Sequence, residues 1–242
     1  MSATPNLAIP YITAGQNQKE ATHSTGMALL DAAITETLAV SVSAGNAAPT
    51  ATQVRRAARI AITGATTSGR TVTLPLVKRP LFVSLDAAST KAVAIVRGST
   101  SVTLLPGASL YLYADGTANG LLRMGEFGLY RAPIWVRGVP SNSEILTRWQ
   151  VKDQPLILLP DLLGWSFVAD VAAAASTVWS VRRNGAAVGT LTWAAAGTVP
   201  TLATTGGAAQ TFAVDDFFDV VAAASADLTL ADVSGTIMLV RG

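Results

Sequence analysis

Two hydrophobic periods divide the chain. After Ser24, the residues Met27, Leu30, Ile34 and Leu38 recur at spacings of three, four and four, which draws one apolar stripe on a helix. Thr22 or Ser24 can cap its start, and the loose Ala/Ser text up to Gly45 and Pro49 reads as linker. A helix of about four turns is marginal alone, so the stripe must lie against its own β domain, sister subunits or a different protein. From about Arg59 the period falls to two. Ile60 and Ile62, Val72 and Leu74, Leu81, Val83 and Leu85, Val93 and Ile95, Val102 and Leu104, then Leu110 and Leu112 alternate between turn signals. Such short runs, ending near Met124, predict a small antiparallel barrel or sandwich, with 125–133 as connector.

The text from Ile134 onward is also β. Its clearest signal is the run Trp179 to Trp193, two alternating segments around Asn184-Gly185. A two-residue loop at Asn184-Gly185 would place Trp179 opposite Thr190 and mix polar and apolar side chains on both faces. A three-residue loop, Arg183 to Gly185, pairs Arg182 with Ala186 and puts Trp179, Val181, Leu191 and Trp193 on one face. The bulged loop is therefore expected. Further strands are expected around Phe212–Val214, Phe217–Val221, Leu228–Leu230 and Ile237–Val240. The predicted fold is mainly β: a short N-terminal helical anchor (1–50), a small antiparallel β barrel or sandwich (51–130), and a C-terminal jelly-roll-like β-sandwich (131–242).

Composition narrows the function. Half of the 242 residues are hydrophobic and 13% are charged, which excludes a disordered chain. The most apolar stretch, Leu156 to Trp179, is interrupted by Pro160, Asp161 and Asp170, so no membrane insertion is expected. With 43 Ala and few charges, part of the surface is expected to lie in subunit interfaces. No cysteine means no disulfide, thiol nucleophile or zinc-thiolate site, and His23 is the single histidine. No basic start leads into an apolar core, so synthesis in a cytoplasm without a signal peptide is expected. Charge is uneven: residues 51–137 carry eleven Lys/Arg against three acidic residues, whereas 138–242 carry five against nine. The arginines are scattered through strand text without an aromatic-rich motif, so no nucleic-acid partner is expected.

Individual motifs are weighed the same way. Gly64 to Thr71 is one residue from a phosphate-binding loop, but strand text follows where a helix should begin, so a β-turn is expected. One histidine near a helix start offers no Ser-His-Asp constellation. Asp215, Asp216 and Asp219 cluster at a strand edge, which reads as a turn and, as an alternative, a loop calcium site. A protein that is not an enzyme, with no cofactor and no metal, is the expectation. All five tryptophans lie in the last unit. Trp179 and Trp193 are assigned to the core, while Trp135, Trp149 and Trp165 remain candidates for stacking on a glycan.

Asn6 to Pro10, Tyr11, Ile12, Gln16, Gln18, Lys19, Thr22 and His23, followed by Leu30 and Asp31, resemble the start of a family of virion proteins found in phages, prophages and gene transfer agents of alphaproteobacteria. Ser24 and Thr25 depart from the Asn-Glu usual there. Leu159-Pro160, Gly164, Asn184-Gly185, Val188 to Thr190, Ala195 to Gly197 and Ala226 to Asp232 resemble a β-sandwich module at the C-terminal ends of phage tail-fibre proteins. The resemblance implies a virion appendage, a tail fibre or spike made in the host bacterial cytoplasm. Its docking residues would be Tyr11, Gln16, Gln18, Lys19, His23, Met27, Leu30 and Ile34. Its partners would be other virion proteins (tail, baseplate or capsid), itself as a homotrimer, and a host cell-surface glycan. A capsid-attached head fibre or decoration protein is the alternative within virions, and a free glycan-binding lectin the alternative outside them.

Overall fold

A computed structural model describes residues 3, 4 and 6–241. It is mainly β, with several sheets, a short N-terminal helix and no closed barrel. The chain divides into two compact units, Met1–Phe127 and Gly128–Gly242.

In the first unit, α1 spans Lys19–Thr35 and a second short helix, α2, spans Ala51–Arg55. Eight strands complete it: β1 (Thr37–Ser41), β2 (Arg59–Thr63), β3 (Arg70–Thr73), β4 (Lys78–Leu85), β5 (Val93–Arg97), β6 (Thr100–Leu104), β7 (Ser109–Asp115) and β8 (Leu121–Phe127). Five form one sheet in the order β1-β2-β4-β7-β8, and three form another in the order β3-β5-β6. The alternating residues fill the core as the period-two pattern predicts: Ile60, Ile62, Leu81, Val83, Leu110 and Leu112 are buried, as are Val72, Val93, Ile95 and Leu104.

Three expectations change here. Both sheets are mixed, because β1 runs parallel to β2, β2 to β4 and β3 to β5. Period-two text carries no information on strand direction, so an all-antiparallel unit was not encoded in it. Residues 1–50 are not a separate segment: Leu38 lies in β1, which continues the sheet, and Val40 and Val42 are buried. The helical stripe therefore ends at Ile34. No element was expected between that linker and Arg59, yet α2 lies there, opened by a capping box in which the Thr50 side chain accepts from Gln53 N–H and the Gln53 side chain accepts from Thr50 N–H.

Among the described residues the second unit holds ten strands: β9 (Leu129–Val136), β10 (Ile145–Gln150), β11 (Leu156–Leu158), β12 (Ser166–Val171), β13 (Thr177–Arg183), β14 (Ala186–Trp193), β15 (Thr201–Thr204), β16 (Gln210–Phe212), β17 (Phe217–Val221) and β18 (Ala231–Arg241). One sheet has the order β10-β17-β13-β14-β15. The other is built on the eleven-residue β18, which pairs with β9 along one side and with β12 and β11 along the other, and β16 extends it beyond β11. Trp179, Val181, Leu191 and Trp193 are all buried on one face of the hairpin, as parity requires. The turn differs from expectation. Asn184 (φ 50) and Gly185 (φ 85) form a two-residue left-handed turn with Arg183 opposite Ala186 and Arg182 opposite Ala187. The register shift comes one step later, at Val181/Arg182, before Val181 meets Gly189 and Trp179 meets Leu191. One extra residue restores the same parity wherever it is inserted.

Candidate docking segment and aromatic cavity

Helix α1 starts earlier than its capping residues predicted. Gln18, in the left-handed region (φ 60), precedes it without a side-chain cap, and Thr22 lies inside the first turns. Thr22 is instead a brace. Its hydroxyl receives a hydrogen bond from Gln16 Nε2, while Gln16 Oε1 accepts from Thr13 N–H at 3.0 Å. These bonds fold residues 13–18 back on the helix and leave a groove of about 560 Å³ lined by Pro10, Thr13, Gly15, Gln16, Gln18 and Thr22. Gln16 and Gln18 thus come together, whereas Tyr11 is exposed outside that groove.

At 100° per residue, Lys19, His23, Met27, Leu30 and Ile34 fall on one stripe, adjacent to the buried line of Thr22, Gly26 and Ala33. The side facing the protein is made of small residues, and a Cβ on Gly26 would come within 3.1 Å of Ile9. The larger side chains face out: Met27 is 53% exposed, Leu30 39% and Ile34 68%. Of the expected coverings for this stripe, its own β domain does not supply one.

What fixes the helix is a residue that sequence reasoning missed. Arg79 on β4 donates to Ala33 O (3.0 Å), Val54 O (3.0 Å) and Arg55 O (2.7 Å), so one guanidinium satisfies carbonyls at the C-terminal ends of both α1 and α2. A cation there also meets the negative end of each helix. Burial lowers the Arg79 pKa from its usual value, which leaves a guanidinium charged at any ordinary pH. The only sequence signal was an arginine at a strand start.

In the second unit the three tryptophan candidates separate. Trp165 is a core residue: it is 7% exposed and its Nε1 donates to Met238 O at 2.7 Å. It is withdrawn as a glycan candidate, because its N–H needed a buried acceptor and β18 supplies one. Trp135 is 70% exposed, with the Arg137 guanidinium 5.5 Å from its ring centroid. Trp149 on β10 lies between these extremes, stacked on Phe218 (4.4 Å between centroids, 19°) and tilted against Tyr130 (5.0 Å, 43°). Its Nε1 is buried and has no hydrogen-bond partner among the described residues.

Tyr130 and Trp149 line a cavity of about 380 Å³ together with Gln150, Lys152, Asp153 and Arg241. Lys152 is bound to Asp215 at 2.5 Å, and Gln150 donates to Asp215 O at 3.1 Å. An aromatic wall beside charged and amide groups suits a ring with one apolar face and several hydroxyls.

The three aspartates of the expected turn do not converge. Asp215 takes Lys152, Asp216 accepts from Asn184 Nδ2 (2.6 Å), and Asp219 is held bidentately by Arg148 across β10 and β17 (2.5 and 2.9 Å). Asp227 organises a separate loop, accepting from Thr229 N–H, Thr229 hydroxyl, Leu230 N–H and Ala175 N–H. Those hydrogen bonds hold its pKa far below the usual carboxylate range. Among the described residues no group of three or more His, Cys, Asp or Glu could hold a metal ion, and no helix is long and apolar enough to cross a membrane. Compared with known proteins, the chain matches no family model and no curated protein.

Proposed function

We propose that this chain is a structural virion appendage protein, a tail fibre or spike, that docks by its N-terminal segment and presents its C-terminal β-sandwich to the host surface. The observation that carries the reading is the outward stripe of α1. Met27, Leu30 and Ile34 are apolar, regularly spaced and exposed, on a helix held in place by Arg79. A single helix of this length gains its stability by packing an apolar face, and here that face is open to a partner. The braced loop of Gln16 and Thr22, next to exposed Lys19 and His23, supplies polar contacts at the helix's other end.

In this reading the chain binds and does not catalyse, self-associates as a homotrimer, and uses the Tyr130/Trp149 cavity or exposed Trp135 to stack on cell-surface glycan. Purified particles from the producing cells should contain the chain by mass spectrometry, and antibody labelling should place it on an appendage. Label on the capsid would assign it to a head fibre. Particles free of the chain would overturn the reading.

A further inference from the structure

Outside the docking helix, the first unit carries a second apolar surface. Sheet register places Phe82 opposite Tyr111 and Tyr113 opposite Leu122 on the side of the five-stranded sheet away from the buried Leu81, Val83, Leu110 and Leu112. Phe127 lies over the same face, 6.1 Å from Phe82 between ring centroids. Three of these large side chains are open to solvent, Tyr111 (40%), Leu122 (56%) and Phe127 (55%), and Met124 (61%), the extra residue at the β8 bulge, is exposed in the same strand. The other end of the sheet's outer face is small or polar, with Ala39 and Ala61, and with Arg59 laid on Ser84 at 2.7 Å. Aromatic and long aliphatic groups are thus confined to β4, β7 and β8, and β8 is the last strand of its sheet.

We propose that this face is where copies of the chain pack against one another, an inference that locates the self-association included in the reading above. Area is the first argument. At about 200 Å² for a large side chain, the exposures of Tyr111, Leu122 and Phe127 with the half-buried Phe82 and Tyr113 leave on the order of 400 Å² of apolar surface. Interfaces are a little over half apolar, so such a patch corresponds to roughly 700 Å² in all, close to the ~800 Å² each partner brings to a stable complex.

Charge is the second argument. The charged side chains of β8, Arg123 and Glu126, stand opposite Leu112 and Leu110 on the other face and pair with each other, so neither brings a charge to the proposed contact. β8 carries a bulge and two charged residues, features that blunt an edge, so the contact is through the side-chain face and not through strand-to-strand pairing.

The test uses the full chain and light scattering at micromolar concentration. Wild-type protein should report about three times the 24.9 kDa chain mass. Leu122→Glu with Met124→Glu changes two exposed side chains, so the circular dichroism spectrum and melting profile of the core should persist while the mass falls to one chain. Leu228→Glu, an exposed site in the second unit, should leave the wild-type mass unchanged. A wild-type mass of one chain would overturn the inference. So would a folded Leu122/Met124 variant that keeps the wild-type mass, which would leave self-association standing but on another surface. Ile34 shares a groove with Tyr113, but Met27 and Leu30 do not; substituting Met27 and Leu30 should not alter the mass, so failure of docking and failure of this interface are separately visible.

Discussion

Two stripes of equal regularity meet opposite fates in this molecule. In the second unit Trp179, Val181, Leu191 and Trp193 share one face of a hairpin and are all buried, with the two indoles 4.6 Å apart between centroids. In the first, Met27, Leu30 and Ile34 share one face of α1 and are all exposed. Periodicity states which residues point the same way; it does not state what covers them. The hairpin belongs to a sandwich whose opposite sheet supplies Phe167, Val233, Ile237 and Leu239. The helix touches its own unit through Thr22, Gly26 and Ala33, which leaves the longer side chains for something else.

The largest effect should come from the closed stripe. Trp179→Ala removes a fully buried indole and should destabilise the second unit by about 3–5 kcal/mol, read by chemical denaturation. Next is the clamp that holds the open stripe in place. Arg79→Ala leaves the carbonyls of Ala33, Val54 and Arg55 without their charged donor and should cost the first unit about 3 kcal/mol, with loss of helical circular dichroism. A melt unchanged by that substitution would mean that the helix is held by other contacts.

A smaller loss is expected at Asp227, whose replacement by Ala frees the loop donors at Ala175, Thr229 and Leu230 and should cost about 1–2 kcal/mol. Its folded pKa lies below the unfolded one, so its contribution is complete above the ordinary carboxylate pKa of about 4. It is lost as pH falls through the folded value. The wild-type and Asp227→Ala melting temperatures should therefore converge only in strong acid; equal melting temperatures at pH 7 would remove the loop's role.

Smallest in stability but visible in function, Tyr130→Ala at the cavity mouth should lower particle adsorption to host cells several-fold while the melt shifts little. Unchanged adsorption would leave Trp135 as the aromatic candidate.

How much of this was legible follows the same division. Most strand positions and the buried face of the Trp179 hairpin were readable because alternation depends only on which side a residue faces; the expected connector 125–133 instead carries the end of β8 and most of β9, and the expected strand at Leu228–Leu230 is a loop. Parallel pairing of β1, β2 and β4 was not, because direction leaves no trace in alternation. Leu38 joined the helical stripe by spacing, although Val40 and Val42 continue a period of two from it and mark β1. The Thr50 to Gln53 capping box was present in the text, between the linker and the first alternating run, and was assigned to no element. Arg79 was illegible, since its acceptors come from residues 33, 54 and 55, brought together only by the fold. Trp165 and Trp149 sat in similar irregular text, and only the buried acceptor at Met238 separates them.

Since β1 begins at Thr37 and belongs to the five-stranded sheet, deleting residues 1–45 would damage the first unit as well as the docking segment. Substitution is the cleaner experiment. Met27→Ser, Leu30→Ser and Ile34→Ser together change exposed side chains, so each should alter stability by no more than about 0.5 kcal/mol. Particles assembled with this folded variant should contain little or none of the chain, measured against wild type by quantitative mass spectrometry of purified particles. Incorporation equal to wild type would contradict the claim that the open stripe of α1 is the docking surface.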